Sequence, residues 1–143
     1  MVIFNTQNGA TVREITFENP ASGMMHPLTY LNKLVHWGGN KMWLHNVMED
    51  QVIFQFPDLE SDILIVVQSP VVNVVAVGCK NGAVKLVNLL YAEVLFTFQN
   101  TDGGVSQITF LTDTTLGQSL MATSSEDSGA ITLWDLNAKK IWC

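Results

Sequence analysis

The stretch ITLWDLNAKKIWC, residues Ile131–Cys143, has a Trp-Asp pair at the end of an alternating apolar segment, followed by a short polar turn and another apolar segment. Two further segments align with it, MWLHNVMEDQVIFQF (Met42–Phe56) and VKLVNLLYAEVLFTF (Val84–Phe98). The equivalent position of the three segments holds Asn46, Asn88 and Asp135, at intervals of 42 and 47 residues. A period near 42 residues is typical of the four-stranded blades of a β-propeller.

Each repeat divides into short apolar segments, rich in β-branched residues and separated by Gly, Asn, Asp or Pro, which predicts strands joined by tight turns. The second repeat gives the strands Ile63–Val67, Asn73–Cys79, Val84–Asn88 and Glu93–Phe98. The third gives Val105–Phe110, Ser119–Ser124, Ala130–Asp135 and Lys139–Cys143. In the first repeat the opening strand is either Val12–Phe17 or a segment near Met25, and the others are Tyr30–His36, Lys41–Asn46 and Gln51–Phe56. The pair Asn81-Gly82 predicts a type I′ hairpin turn, because Asn-Gly readily supplies its two positive-φ positions.

The inner strands indicate how the sheets pack. Asn73–Cys79 is apolar at odd and even positions, so both faces of its sheet are covered. A parallel sheet flanked by helices shares this property, but its crossovers need a dozen or more residues, and the connections here are mostly shorter. We therefore expect an all-β fold, a partial β-propeller of about three four-stranded antiparallel blades that is not closed. The first, divergent blade takes residues 1–58, the second 59–99 and the third, truncated at its end, 100–143.

Three blades cannot close a ring, so we expect an apolar blade face to stay open at each end. The composition is 48% hydrophobic and 14% charged, with a formal net charge of −6 and seven Lys and Arg residues. So few basic residues argue against a large phosphate-binding surface and favour protein partners. Two cysteines, no basic leader and no run of 18 apolar residues predict an intracellular protein without a membrane span.

Four segments carry a resemblance to a known family: MHPLTYLNKLV (Met25–Val35), QSPVVNVVAVG (Gln68–Gly78), SQITFLTD (Ser106–Asp113) and GAITLWDLNAKK (Gly129–Lys140). By these segments the chain resembles WD-repeat proteins, and most closely the WD-repeat subunit of the eukaryotic small-subunit processome. The first repeat departs from that family, since Leu44-His45-Asn46 stands where the family has Leu-Trp-Asn. The family has tandem propellers on a much longer chain, so the resemblance implies a fragment, a truncated gene model or a divergent short form.

The resemblance implies a non-catalytic WD-repeat scaffold in small-subunit ribosome assembly and pre-rRNA processing, in the nucleus and nucleolus. Its partners would be proteins of a large ribonucleoprotein assembly, with indirect RNA association, no membrane and no small-molecule substrate. The alternatives are a WD-repeat adaptor of another intracellular complex and, less favoured, a propeller enzyme. No trio of nucleophile, base and orienting group stands out, and the sequence predicts no catalytic residue and no cofactor.

Several residues are expected to hold the blades together. Trp134 would pack between blades, and Asp135 would fix the geometry of its strand and turn. Many WD repeats contain a buried hydrogen-bonded set, to which Thr123, Asp127 and Trp134 could contribute, although plain core packing is the alternative. The remaining structural positions are the turn residues Asn88, Gly82 and Gly129.

The three histidines, His26, His36 and His45, do not predict a metal site, because no cysteine or carboxylate cluster completes a ligand set. Charge gives a different candidate. In an antiparallel blade the turn between the second and third strands lies at the same end as the connection to the next blade. That end collects six carboxylates against Lys80: Asp58, Glu60, Asp62, Asp102, Glu126 and Asp127. We call these six residues the acidic rim and expect either a protein-contact surface or a merely solvated edge.

Overall fold

The structure is a computed structural model, and it describes residues 1–28, 32–100, 103–113 and 117–143. Within these ranges the chain forms fourteen strands and no helix. The first six are β1 (Val2–Phe4), β2 (Thr11–Glu14), β3 (Gly23–Met25), β4 (Lys33–Gly38), β5 (Lys41–Asn46) and β6 (Gln51–Gln55). The next four are β7 (Ile63–Gln68), β8 (Val74–Cys79), β9 (Ala83–Asn88) and β10 (Glu93–Gln99). The last four are β11 (Val105–Asp113), β12 (Gln118–Ser125), β13 (Ile131–Asp135) and β14 (Lys140–Ile141).

Twelve of these strands form three four-stranded antiparallel sheets, each in chain order. We call β3–β6 the first blade, β7–β10 the second and β11–β14 the third. The order confirms the prediction of an all-β partial propeller that is not closed. The strands of the second and third blades lie where turn residues and apolar segments predict them.

The first blade differs from its prediction at the N-terminal side. Its opening strand is β3, so of the two predicted positions the one near Met25 is correct. The other, Val12–Phe17, overlaps β2, which pairs with β1 in a separate two-stranded sheet. We call β1 and β2 the N-terminal ribbon; the sequence reasoning did not predict it. Tyr30, the predicted start of the next strand, lies outside the described residues.

The predicted type I′ turn at Asn81-Gly82 is wrong. Gly82 has a φ of 84°, but Asn81 is not among the residues with positive φ. The reason is the strand register, which pairs Gly78 with Val84 and leaves an odd number of residues to reverse the chain. The Gly82 N–H donates to the carbonyl of Cys79, and one left-handed glycine then completes the turn.

Two apolar cores lie between neighbouring blades. The core between the first and second blades includes Val35, Leu44, Phe56, Val75 and Val77. The core between the second and third blades includes Val84, Phe98, Val105, Met121 and Trp134. All six residues of β8 are buried, because this strand lies in the only blade with a complete neighbour on each side among the described residues. Burial of apolar area on both faces is therefore the main stabilising contribution in the second blade.

Candidate protein-contact surface

The turns between second and third strands lie against the connections between blades at one end of the sheets. The backbone N–H of Leu59 donates to the carbonyl of Asn40 (2.9 Å), and Asn40 Nδ2 donates back to the carbonyl of Leu59 (2.8 Å). The N–H of Ile63 donates to the carbonyl of Gly39 (2.8 Å). The turn of the first blade and the first inter-blade connection are thus tied together by three hydrogen bonds.

The same end of the second blade is tied in the same way. The Lys80 N–H donates to the carbonyl of Asp62 (2.9 Å), and the Asn81 N–H donates to Ser61 Oγ (3.1 Å). At the third blade the Glu126 N–H donates to the carbonyl of Gly104 (2.7 Å). Because each contact joins a turn to a connection, the loops of all three blades form one continuous edge.

The acidic rim lies along this edge. Five of its members, Asp58, Glu60, Asp62, Glu126 and Asp127, are exposed, and Asp102 lies outside the described residues. The sequence reasoning counted only Lys80 as a cation at this end and missed Lys41, whose Nζ lies 3.7 Å from Asp58 Oδ2. Both side chains are about half exposed, so the pair adds little stability. It does reduce the negative charge of the rim at Asp58.

Asp127 has a defined position on the rim. Gly103 has a φ of 95°, and a Cβ built on it would overlap with Asp127 Oδ2. The carboxylate therefore lies directly over the glycine, in a space that any other residue at position 103 would fill. This contact places Asp127 in the loops of the rim.

Of the proposed buried set, the structure brings together two members. Trp134 Nε1 donates to Thr123 Oγ1 at 2.9 Å, and both residues are buried. Asp127 lies in the exposed turn instead, over Gly103. The Trp134 ring also packs against the ring of Phe98 of the second blade, with centroids 5.1 Å apart.

The outer hairpin of each blade, between its third and fourth strands, begins with an Asn or Asp that caps the turn. Asp135 Oδ1 accepts the backbone N–H groups of Asn137 (2.9 Å) and Ala138 (2.8 Å). Asn88 Oδ1 accepts those of Leu90 and Tyr91. These side chains satisfy donors that the ladder leaves free.

The two structural glycines differ in their surroundings. Gly82 has a φ of 84°, and a Cβ there would meet backbone oxygens of Asn100 and Gly103 at 2.7 and 2.9 Å. Gly129 has a φ of 67° and no heavy atom within 4 Å of such a Cβ. Gly82 is thus required by conformation and by space, and Gly129 by conformation alone.

Aromatic rings line an open cleft of about 480 Å³ in the first blade, on the side of the N-terminal ribbon. The His36 ring stacks between Phe17 (centroids 4.1 Å apart) and Trp43 (5.1 Å). Burial, and secondly the charge of His45, lower the pKa of His36 from 6.5 to about 4. Neither ring nitrogen of His36 has a hydrogen-bond partner. A neutral, stacked imidazole of this kind is a core group without a visible chemical role.

His45 is buried beside His36, and its Nε2 lies 3.1 Å from Asp50 Oδ1. Across the described ranges, no three His, Cys, Asp or Glu side chains come together in a way that could hold a metal ion. Burial is also the main reason why the pKa of the Cys79 thiol rises to about 11. The described part of the chain contains no helix long and apolar enough to cross a membrane.

Comparison with known proteins gives a match over the whole sequence. The family profile of the WDR36/Utp21 first β-propeller covers residues 1–143. The human WD repeat-containing protein 36 is 32% identical over 147 residues, which include 99% of this chain and 16% of the human protein. The U3 small nucleolar RNA-associated protein 21 homolog of Schizosaccharomyces pombe is 32% identical over 122 residues, or 84% of this chain and 13% of that protein. The U3 small nucleolar RNA-associated protein 21 of Saccharomyces cerevisiae is 26% identical over 116 residues, or 81% of this chain and 12% of that protein. The chain therefore spans about a sixth or less of the length of these relatives.

Proposed function

Because the chain belongs to the WDR36/Utp21 first β-propeller family, we propose that it is a WD-repeat scaffold in small-subunit ribosome assembly and pre-rRNA processing. The observation that carries this proposal is the family match over residues 1–143. Two relatives are named as U3 small nucleolar RNA-associated proteins, which supports a place in a large ribonucleoprotein assembly. In this role the chain acts without catalysis, in the nucleus and the nucleolus.

The acidic rim is the surface that we assign to protein contacts. Its exposed carboxylates lie on one edge whose loops are joined by backbone hydrogen bonds, so the backbone that carries the charges is held in place. Basic segments of assembly proteins complement such an edge, and complementary charge accelerates encounter and fixes register more than it raises affinity.

RNA association is indirect in this proposal. Phosphate contacts by Lys and Arg supply most of the affinity of proteins for RNA, and the chain has seven such residues against thirteen Asp and Glu. A propeller of net charge −6 repels the RNA backbone at the distances that matter for encounter. Neighbouring proteins would therefore connect it to the RNA.

The second candidate function is a WD-repeat adaptor of another intracellular complex, which the same rim would serve. It predicts co-purification of proteins without small nucleolar RNA. A propeller enzyme is less favoured, because His36 and His45, which line the cleft of the first blade, are only 3% and 4% exposed. Precipitating the tagged full-length protein and probing for U3 small nucleolar RNA separates the first two functions.

The rim is tested by charge reversal in the full-length protein, with Glu60, Asp62, Glu126 and Asp127 each changed to Lys. Asp58 is left intact because it pairs with Lys41. We expect co-purification of protein partners to fall by about tenfold, since rim charges act mainly on association rate. Glu49→Lys with Glu93→Lys, which reverses two charges at the opposite end of the blades, is compared with the pair Glu60→Lys, Asp62→Lys of the rim as the matched control and should leave recovery unchanged.

Two results would contradict the assignment. Equal recovery of partners by the rim variant and the control would mean that the rim is only solvated. Tight, salt-dependent binding of ribosomal RNA by the isolated propeller would mean that RNA association is direct. Retained circular dichroism of the rim variant shows that any loss does not reflect unfolding.

A further inference from the structure

The cleft of the first blade lies between two walls. On one side is the connection that follows β2, residues 16–19, and on the other are side chains of β4, β5 and β6. A pocket between the first and second blades has the same construction, since residues 57–60, after β6, face side chains of β9 and β10. That pocket has a volume of about 140 Å³, whereas the cleft has about 480 Å³. The cleft is therefore within the range of typical ligand sites, roughly 300–1,000 Å³.

The two spaces differ in the charges that line them. Lys85 lines the small pocket together with two carboxylates, so this pocket contains its own cation. Trp43 takes the place of Lys85 in the cleft, because each residue lies three positions before the capping Asn of its outer hairpin. The carboxylates of Glu18 and Asp50 line the cleft, and none of the described residues that line it is a Lys or Arg. The cleft is thus an acidic space that lacks the cation of its counterpart.

Arg13, the one basic side chain of the N-terminal ribbon, does not supply this cation. Its Nη1 donates to the backbone carbonyls of Val47 and Met48 in the outer hairpin of the first blade. The side chain lines a separate, mostly apolar pocket. These contacts hold the guanidinium of Arg13 outside the cleft.

Three nearly parallel rings stand in a column along the cleft. The rings of Trp43 and His36 have centroids 5.1 Å apart and planes at 14°, and those of His36 and Phe17 have centroids 4.1 Å apart and planes at 19°. Phe17 ends the column, since His36 covers one of its faces and the ring is partly exposed. A planar cation that stacks on the outer face of Phe17 continues this column, and guanidinium groups stack on aromatic rings in this way.

The imidazoles beside the cleft carry polar atoms without partners. His36 is 3% exposed and His45 is 4% exposed, and both line the cleft. Both ring nitrogens of His36 and Nδ1 of His45 have no hydrogen-bond partner. Because buried polar atoms normally have partners, such atoms beside an open cleft point to a polar ligand. Burial, and secondly the charge of His45, lower the pKa of His36 to about 4, so this ring is uncharged at neutral pH and does not repel a cation.

We propose that the cleft binds the guanidinium group of an arginine side chain from a protein partner. The carboxylates of Asp50 and Glu18 accept its N–H groups, and the ring of Phe17 stacks on its plane. A lysine ammonium would be attracted by the same carboxylates, but it has three donors and no flat face, so the stacked rings favour arginine. The choice of a protein as the source rests on the proposed scaffold function, whereas the chemistry of the cleft does not.

Isothermal titration calorimetry of the purified full-length protein with N-acetyl-arginine amide tests this inference. The probe presents the arginine side chain without the charged termini of the free amino acid. We expect saturable binding with a dissociation constant on the order of 1 mM, the affinity that a ligand of this size can reach without further contacts.

Two substitutions remove one charge each from the cleft and keep the shape of the side chain: Asp50→Asn and Glu18→Gln. Each should weaken binding of the probe by about tenfold or more, because hydrogen bonds to a charged acceptor are stronger than those to a neutral one. Glu49→Gln is the matched control. It removes an exposed carboxylate next to Asp50 that does not line the cleft, so the dissociation constant should change by less than about twofold. Unchanged thermal transitions show that the variants remain folded.

Three further ligands separate shape, charge and source. N-acetyl-lysine amide should bind about tenfold more weakly than the arginine probe, because it does not stack. N-acetyl-citrulline amide has nearly the same shape without the charge and should show no saturable binding. Free L-arginine should bind no more tightly than the blocked probe, since its carboxylate is repelled by the acidic cleft.

Each other outcome overturns the proposal. Absence of saturable binding, or equal affinity in the cleft variants and the control, means that the cleft is not the site. Equal affinity for the lysine probe reduces the attraction to that of a point charge, and equal affinity for citrulline removes charge from the recognition. Tighter binding of free L-arginine assigns the cleft to the amino acid instead of a protein. None of the described residues of the acidic rim lines the cleft, so a failure of the charge-reversal experiment would leave these titrations unaffected.

Discussion

One position of the repeat holds Trp134 in the third blade and His45 in the first. The two side chains differ in whether their polar atoms have hydrogen-bond partners. Trp134 packs against Phe98 of the preceding blade and donates its N–H to the buried Thr123. Its single polar atom is satisfied inside the core. His45 has one ring nitrogen near Asp50 and the other, Nδ1, without a hydrogen-bond partner.

The neighbour of His45 makes the contrast larger. His36, 5.9 Å away between ring centroids, is buried with neither ring nitrogen satisfied. Buried polar atoms without partners cost stability, whereas a satisfied indole contributes its full apolar area. The residue at the shared position therefore stabilises the third blade more than the first, and the stability of the first blade depends on the protonation state of His36.

The largest effect is expected for Trp134→Ala. Removing a buried aromatic side chain that contacts a neighbouring blade should lower the free energy of unfolding by about 3–5 kcal/mol. His45→Ala should cost about 1–2 kcal/mol, because the ring is smaller and one of its nitrogens is already unsatisfied. Urea unfolding at low protein concentration measures both. Similar losses of unfolding free energy for the two variants would show that the shared position stabilises the first and third blades equally.

The second effect is a dependence of the free energy of unfolding on pH, which arises from His36 in the first blade. The pKa of His36 is about 4 in the folded chain and about 6.5 in the unfolded chain, so the unfolded state binds more protons between these values. The stability that the neutral His36 contributes is therefore fully present above pH 6.5 and is lost as the pH falls towards 4. By linkage, stability should fall by about 2 kcal/mol from pH 7.5 to pH 5.

His36→Phe is the control for this pH dependence. Phenylalanine keeps a flat ring between Phe17 and Trp43 and removes both unsatisfied nitrogens. The variant should be at least as stable as the parent at pH 7.5. Between pH 7.5 and pH 5 its free energy of unfolding should fall much less than that of the parent. An unchanged decrease in the variant would assign the titration to another group.

The smallest effects are expected from changing the hydrogen-bond partners of Trp134 and His45. Thr123→Val leaves Trp134 Nε1 buried without an acceptor and should cost about 1–2 kcal/mol. Asp50→Asn retains an oxygen beside His45 and suits the positive φ at this position, so it should cost about 0.5 kcal/mol or less. Chemical denaturation distinguishes the two variants. A larger loss for Asp50→Asn would mean that the His45 to Asp50 contact is a principal support of the first blade.

The sequence predicts the second and third blades well because their turns and apolar segments have a clear period. It predicts the first blade less well, since two segments near its start are equally apolar and only packing selects Gly23–Met25. The ribbon was not predicted, because its sequence has no Trp-Asp pair and forms two strands rather than the four of a complete repeat. The signal that could have found it is Asn5, 41 residues before Asn46, followed by Gly9 at the turn position.

The acidic rim could be placed from strand order alone, because alternating connections must meet at one end of each blade. The ion pair between Lys41 and Asp58 could not, since it depends on which of two half-exposed side chains turns towards the other. The same limit applies to Asp127, whose carboxylate lies over Gly103, where a Cβ would overlap with it. Three-dimensional loop packing, rather than residue type, decides both contacts.

The outward faces at the two ends of the described sheets expose apolar residues, whereas the second blade is covered on both sides. The third sheet has Leu111, Ile131 and Trp142 on the face opposite Trp134, and all three are exposed; Ile131 is 72% exposed. At the other end Phe4 is exposed. Apolar surfaces of this kind drive association when they remain uncovered.

Sedimentation velocity of the 143-residue chain over a range of concentrations measures whether these open apolar faces drive association. We expect association that grows with concentration, and a marked decrease of it in the double variant Phe4→Gln, Ile131→Thr, which reduces both open faces. A single monomeric species at every concentration, together with a cooperative thermal transition, would show that the exposed apolar faces do not drive association.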